Sequence, residues 1–213
     1  MFKRAIVFGG SRGLGRAVVE HCRFHFDGLK EVVEVSRKSL SHPLDLTKVS
    51  DQIKACELIG GQGFDLVIYC AGGGPHGEFS SKEWKDHAWA LQLNLFAPMF
   101  LIHRWLKARK GADGEGCFVV VGSRIAEQNP DPMASSYAAG KAGLYGFVSS
   151  LQDELKKSKN KVWLFSPGYM DTEMLPSTAK VRNDGSKLMS AEAAAQAMLR
   201  WLKKDGPWHR VLN

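Results

Sequence analysis

Short apolar runs alternate with helical periods along this chain. Residues 3–8 (Lys-Arg-Ala-Ile-Val-Phe) read as a strand that runs into glycines. Leu14, Val18 and Cys22 then recur at i, i+4 and i+8, the spacing of one helix face. A valine-rich run at 31–36 predicts a second strand, Pro43 to Leu46 a short third strand and turn, and 47–59 a helix ending at Gly60-Gly61. Residues 65–70 (Asp-Leu-Val-Ile-Tyr-Cys) predict a fourth strand. A long helix over 81–109 follows, carrying Trp84, Trp89, Leu93, Phe96, Phe100 and Trp105. The pattern closes with a fifth strand at 116–122, a helix at 135–158, a sixth strand at 161–166, a polar loop at 173–189, a helix at 190–203 and a last strand at 209–212.

Strands that are apolar almost throughout, alternating with helices, belong to a parallel sheet covered on both faces. Right-handed crossovers then give a doubly wound α/β domain, whose ligands bind beyond the carboxyl ends of the strands. The glycines, Asp45, Ser123 and Pro167-Gly168 all fall just after strands. With 213 residues, no linker and no internal repeat, one domain over 1–213 is expected. The 44% hydrophobic and 24% charged balance excludes a disordered chain. No apolar run approaches the ~18 residues of a membrane span. The opening Met-Phe-Lys-Arg-Ala-Ile-Val-Phe lacks an export signal's apolar core of about 7–15 residues, so a cytoplasmic location is expected.

Cys22, Cys56, Cys70 and Cys117 are scattered without CxxC spacing, which argues against disulfides and a zinc site; no metal is expected. The net charge of +7 invites a nucleic-acid reading. The basic clusters (104–110, 156–161 and 200–204) sit at predicted helix ends, where cations suit the macrodipole, and no aromatic-basic interleaving accompanies them. No specific nucleic-acid partner is expected.

Gly9, Gly13 and Gly15 sit between the first strand and its helix. Gly9 permits a tight turn, Gly13 lets the backbone approach a pyrophosphate, and Gly15 lets helix and sheet pack closely. The helix N-terminus offers free N–H groups to the phosphates. Ser36-Arg37-Lys38 ends the second strand, where an acidic residue would select a free ribose; Arg37, with Arg12 in the glycine turn, suits a 2′-phosphate. NADP(H) is therefore expected over NAD(H), against the alternative that Arg37 and Lys38 only solvate a loop. Glu34 lies inside the strand by its alternation with Val33 and Val35; a shifted register would bring it to the ribose and favour NAD.

Tyr137 and Lys141 are four apart on a predicted helix and so share a face. The GxxxGxG turn, Asn94, Ser123, the YxxxK pair and Pro167-Gly168, in this order, resemble the short-chain dehydrogenase/reductase family from about residue 3 to 203. That resemblance implies a Rossmann fold and reduction of a ketone or aldehyde, reversible as an alcohol oxidation. It implies Tyr137 as general acid, Lys141 as the ammonium that lowers its pKa and binds the nicotinamide ribose, Ser123 as donor to the substrate carbonyl, and Asn94 as anchor of a proton-relaying water. For the cofactor it implies Gly9, Ser11, Arg12, Gly13, Leu14 and Gly15 at the phosphates, Ser36 and Arg37 at the ribose, Asp45 and Leu46 at the adenine, and Ala71, Gly72, Pro167, Gly168 and Thr172 towards the nicotinamide. Each has a plainer alternative: Asp45 as a turn or N-cap residue, Asn94 as a satisfied helix polar group, Ser123 as a strand-end turn serine.

Some residues depart from the family pattern. Phe8 stands where the family has Thr, and Tyr69-Cys70 replaces an asparagine pair before Ala71-Gly72. The loss of that brace is expected to affect local stability more than chemistry. The loop at 173–189, with Lys180, Arg182 and Lys187, is expected to be a mobile, solvated lid over an open pocket walled by Ile125, Gln128, Tyr169, Met174, Leu175 and His76. The family implies a homodimer or homotetramer, and the helices at 81–109 and 135–158 suit a two-fold interface. The competing reading is a dinucleotide-binding redox sensor or scaffold without catalysis.

Overall fold

The computed structural model describes residues 2–111, 114–177 and 179–212. Thr178, within the predicted loop, and the two terminal residues of the expected domain lie outside the described residues. Six strands, β1 (Arg4–Phe8), β2 (Glu31–Val35), β3 (Leu66–Tyr69), β4 (Gly116–Val121), β5 (Asn160–Ser166) and β6 (His209–Val211), form one sheet in the order β2-β1-β3-β4-β5-β6. Every pairing is parallel. The chain winds outwards from β1 in one direction to β2 and in the other to β3 and beyond. The switch point, and hence the ligand crevice, lies between the ends of β1 and β3.

Period-2 geometry explains the unbroken apolar strands, because each face of the sheet has its own core. On one face Ala5, Val7, Ile68 and Val119 pack under helices α1 (Gly13–His25) and α7 (Ala191–Lys203), against Val18, Ala195 and Met198. On the other, Ile6, Phe8, Val67, Tyr69 and Val120 pack against Leu101, Trp105, Leu144 and Val148. The latter side chains come from α4 (Ala97–Ala108) and α6 (Ser135–Leu155). Helix α2 (Val49–Gly61) covers the β2 side of this second core through Ala55 and Ile59.

The structure corrects four readings of the sequence. The third strand at 43–46 is a single bridge, Ser36 to Pro43, because the segment turns at once through the Asp45 side chain, which accepts from the Thr47 N–H at 3.1 Å. The helix at 81–109 is not continuous. A 3-10 turn at Phe79–Ser81 precedes α3 (Trp84–Leu91), and a π-helical turn at Gln92–Phe96 separates α3 from α4. A short helix α5 (Arg124–Gln128), absent from the sequence reading, is capped by the Ser123 hydroxyl accepting from Ala126 N at 3.3 Å. The loop at 173–189 carries a 3-10 turn at Lys180–Arg182 and is tied at its ends by a Met170–Met189 bridge. Among the described residues no helix is long and apolar enough to cross a membrane.

Burial pushes the thiols of Cys22 and Cys70 up to about 12 and that of Cys56 to about 11, from 9.0. An unfolded thiol ionises near its ordinary value. The stability these groups contribute is therefore complete below about pH 9 and lost as pH rises towards 11–12. Urea denaturation should show Cys22→Ala losing about 1–2 kcal/mol less than the parent between pH 8 and pH 10.5; equal losses would contradict the burial of this thiol as an ionisable group.

Candidate active site

The glycine turn is shaped by contact with the end of β3. Gly9 has φ +83°, and a Cβ there would stand 2.6 Å from the Ala71 nitrogen; a Cβ at Gly15 would overlap the Gly9 carbonyl. No side chain caps the N-terminus of α1, so its first amide donors stay free at the mouth of the crevice. Gly13 has φ +51° and lies against Thr172, whose Cγ2 is 3.6 Å from its Cβ position. A cleft of about 560 Å³ runs over Gly13, Thr172 and Arg16. The free amides and the glycines of the turn fit a dinucleotide pyrophosphate; the adjoining cleft also carries Glu20, Asp171, Glu173 and Glu192 and is not itself a phosphate site.

At the ribose end, Ser36 is buried and its hydroxyl accepts from Lys38 N at 3.2 Å, while Arg37 and Lys38 are exposed. Glu34 pairs with Val7 one residue inside the end of β2. Its side chain lies beneath Gly10, with Oε1 buried and unbonded, rather than at the strand tip. Arg12 Nη1 lies 3.4 Å from Glu173 Oε2, an exposed pair. Asp45 is half-buried, with Oδ1 accepting from the Thr47 hydroxyl at 2.7 Å; the turn role is therefore realised. Ser11 is exposed at the turn, and Leu14 and Leu46 pack into the two cores.

Asn94, Ser123, Tyr137 and Lys141 converge across the ends of β3 and β4. Asn94 is fully buried within the π turn. Its Nδ2 donates to the carbonyls of Ala90 at 2.7 Å and Gly73 at 2.5 Å, and its Oδ1 accepts from Gly73 N at 3.3 Å. The widened turn lets one side chain satisfy both its own helix and the loop after β3, a familiar use of π turns at functional sites. The Tyr69 hydroxyl donates to Leu93 O in the same turn at 2.8 Å, so the tyrosine that replaces the family's asparagine braces the helix instead. A Cβ at Gly72 would stand 3.0 Å from Asn94 Oδ1 and 3.3 Å from Lys141 Nζ; one at Gly74 would stand 3.0 Å from Tyr137 Cβ. The loop after β3 is thus bare of side chains where the four groups meet.

Lys141 Nζ donates to Val121 O at 2.6 Å. Burial lowers its pKa to about 8, with Cys70 and Glu127 pulling it back up. Burial raises Tyr137, and the Ser123 hydroxyl opposes that shift. This corrects the expectation that Lys141 lowers the tyrosine. The ammonium is drawn onto the Val121 carbonyl and stands 5.9 Å from the tyrosine ring centroid, where it does not offset the cost of desolvation.

Beside Tyr137 and Ser123 lies a cavity of about 140 Å³ whose walls include Gly168, Thr172, Ile125, Tyr169, Met174, Leu175 and His76. Gln128, an expected wall residue, is not among them. Pro167 is tied into the same edge, its carbonyl accepting from Arg124 N at 3.0 Å. The sequence reading missed Asp131, which lines the cavity and accepts from the Tyr169 hydroxyl. An Asn-Pro-Asp-Pro loop carries no periodic signal that could have placed it. Arg182, expected in solvent, folds inwards: it donates to the carbonyls of Thr172, Leu175 and Pro176 and pairs with Asp171 at 2.6 Å. Asn94→Ala should cost about 1–3 kcal/mol in urea denaturation, because the polar groups of Gly73 are left buried and unpaired; an unchanged midpoint would contradict the bracing role.

The family profile described as short chain dehydrogenase matches residues 3–183. Carbonyl reductase family member 4 of Danio rerio is 29% identical over 84% of this chain and 81% of its own length. The cyclic-di-GMP-binding biofilm dispersal mediator protein of Escherichia coli is 24% identical over 94% and 89%. Among solved structures, a short chain dehydrogenase from Burkholderia cenocepacia in complex with NADP superposes with a TM-score of 0.83 at 24% identity, covering 99% of this chain and 96% of that one. The profile spans most of the sequence and includes the glycine turn, Asn94, Ser123, Tyr137 and Lys141, so the chain belongs to the short chain dehydrogenase family of nicotinamide-dependent oxidoreductases.

Proposed function

We propose that this protein is an NADP(H)-dependent reductase of a compact ketone or aldehyde. The observation that carries this reading is the meeting of Asn94 Oδ1, Lys141 Nζ and Tyr137 around the side-chain-free loop 72–74, open to the cavity beside Ser123. When bound, the cofactor supplies a hydride from its nicotinamide. Gly9, Gly13, Gly15 and the free amides of α1 hold its pyrophosphate, the exposed Arg37 meets the 2′-phosphate, and Thr172 and Gly168 flank the reactive end. Ser123 accepts from Ala126 N through its oxygen, so its hydroxyl acts as the donor, to Tyr137 in the free site and to a substrate carbonyl when one enters. Tyr137, kept protonated by burial, gives its proton to the developing alkoxide. Lys141 binds the ribose hydroxyls while protonated, and Asn94 fixes the loop against which both lie. A homodimer or homotetramer acting in the cytoplasm accords with the family.

The cavity selects by charge. Arg182 is consumed by the loop carbonyls and Asp171, and Asp131 is the acidic side chain in the cavity wall. No lysine or arginine is among the described lining residues, Arg124 standing behind Gly168, so an anionic substrate group would face Asp131, whereas a hydroxyl or ammonium finds the Asp131–Tyr169 pair. Against matched ketones, an added carboxylate should lower kcat/KM about tenfold or more, and Asp131→Asn should narrow that gap; a preference for the anionic ketone would overturn this reading.

Titration with NADPH should quench tryptophan fluorescence, with weaker binding of NADH; equal or tighter NADH binding would remove the role of Arg37. Tyr137→Phe should lower turnover by about 10²–10⁴ while leaving NADPH affinity within about twofold. The reductive rate should fall as pH rises through about 8, where Lys141 loses its proton. Tight NADPH binding without turnover on a broad carbonyl panel would favour the sensor instead.

A further inference from the structure

Behind Ser123, on the side away from the cavity, lies a buried polar cluster that the reaction as described does not use. Glu127, on α5, has a side chain only 5% exposed. Its Oε1 accepts from the Ser166 hydroxyl at 2.6 Å and from the Ser123 backbone N–H at 3.2 Å. Its Oε2 makes no aligned hydrogen bond and faces His209 Nε2, on β6, at 3.1 Å. Ser166 spends its proton on Glu127, so its oxygen is left to accept from His209 Nε2–H, 3.0 Å away. Ser166, the last residue of β5, is fully buried, and its backbone carbonyl accepts from Leu212 N at 3.0 Å. The catalytic loop is thereby tied to the last strand of the sheet.

The backbone is cut to fit this cluster. A Cβ at Gly122 would stand 2.5 Å from Ser166 Oγ and 2.6 Å from Glu127 Oε1. Only a glycine immediately before Ser123 lets the carboxylate close on the Ser123 amide. Burying a carboxylate is costly unless it is paired and hydrogen-bonded, and an apolar residue would fill this space without that cost. The charge itself is therefore the feature that needs a reason.

We infer that Glu127 is a positioning residue for the reduction: clamped by Ser166 and His209, its carboxylate fixes the Ser123 loop and sets a negative charge behind Lys141 and Tyr137. This rests on the proposed roles of those three residues. The same carboxylate raises the pKa of both Lys141 and Tyr137, so it opposes the loss of the lysine's proton that burial favours and adds to the burial that keeps the phenol protonated. The other groups facing the pair are Cys70 towards Lys141, and Ser123 and Asp131 towards Tyr137. Tyr145 packs its ring 5.2 Å from that of His209. Arg124 follows Ser123 on the same helix, with its guanidinium against Gly168.

The test compares the loss of the charge with the loss of a hydrogen bond. In the full chain carrying ¹³Cε-lysine, the Lys141 resonance (assigned through Lys141→Arg) is titrated by NMR in the parent, Glu127→Gln and Ser166→Ala. Glu127→Gln should move the Lys141 midpoint down by roughly 0.5 pH or more and carry the alkaline limb of kcat with it, while NADPH affinity stays unchanged below about pH 6.5, where the lysine is protonated in both proteins. Ser166→Ala, which removes a donor but not the charge, should leave the midpoint in place, and Glu127→Asp should restore it. An unmoved midpoint in Glu127→Gln, or an equal movement in Ser166→Ala, would overturn the inference. If Glu127→Gln does not fold, Gly122→Ala provides the second test, because its methyl meets both Ser166 Oγ and Glu127 Oε1. It should lower kcat about tenfold with NADPH affinity retained, and an unchanged kcat would overturn the inference. The NMR midpoint needs no turnover, so an inactive parent would defeat the proposed reaction while still leaving Glu127 under test.

Discussion

Lys141 carries an ammonium at a place where water is excluded, and the architecture around it follows from the cost of keeping it there. It lies on α6, fully enclosed by the ends of β3 and β4, and its Nζ donates to the Val121 carbonyl at 2.6 Å. An isolated charge in such a place shifts its pKa or loses its proton. Here burial brings the group to about 8, within reach of neutral pH, instead of neutralising it altogether. Two groups restrain the shift, Cys70 and the carboxylate of Glu127, while the Val121 carbonyl accepts one of the ammonium's hydrogen bonds. The glycines of loop 72–74 keep any side chain off the ammonium: a Cβ at Gly72 would stand 3.3 Å from Lys141 Nζ.

That arrangement depends on the sheet. Val121, Ser123 and the Gly73 backbone hold their positions because β3 and β4 are central, parallel and buried on both faces. Asn94 links this rigid layer to the helical layer through the π turn, and Tyr69 reinforces the link from the strand below. Arg182 does the same for the segment after β5, gathering three carbonyls of the 172–176 stretch so that Met174 and Leu175 form a wall. Chemistry on loops is thus positioned by strands and helices that cannot easily move.

The elements most legible in the sequence were those fixed by local pattern. Continuous apolar strands announced a parallel sheet, and Gly9, Gly13 and Gly15 announced the turn, because sterics leave few other residues possible at these positions. The order Asn94, Ser123, Tyr137, Lys141 was legible through the family resemblance. What escaped was set by distant pairs or by hydrogen-bond detail. The π turn needs Gly73 as Asn94's partner, and the bridge at Pro43 replaces a strand because Asp45 prefers a turn. Glu127 and His209 are 82 positions apart, with no periodicity to join them. The expected effect of Lys141 on Tyr137 failed for a related reason: spacing on a helix places two side chains on one face without saying which carbonyl will claim the ammonium.

The most direct measurement of the central claim is a crystal structure of the NADPH complex. The account predicts the pyrophosphate on the amides of α1 and the ribose hydroxyls on Lys141. It also predicts the nicotinamide C4 facing the cavity, within about 4 Å of the space between Ser123 Oγ and Tyr137 Oη. A nicotinamide ring lodged elsewhere, or a Lys141 that stays on the Val121 carbonyl without contacting the ribose, would contradict it.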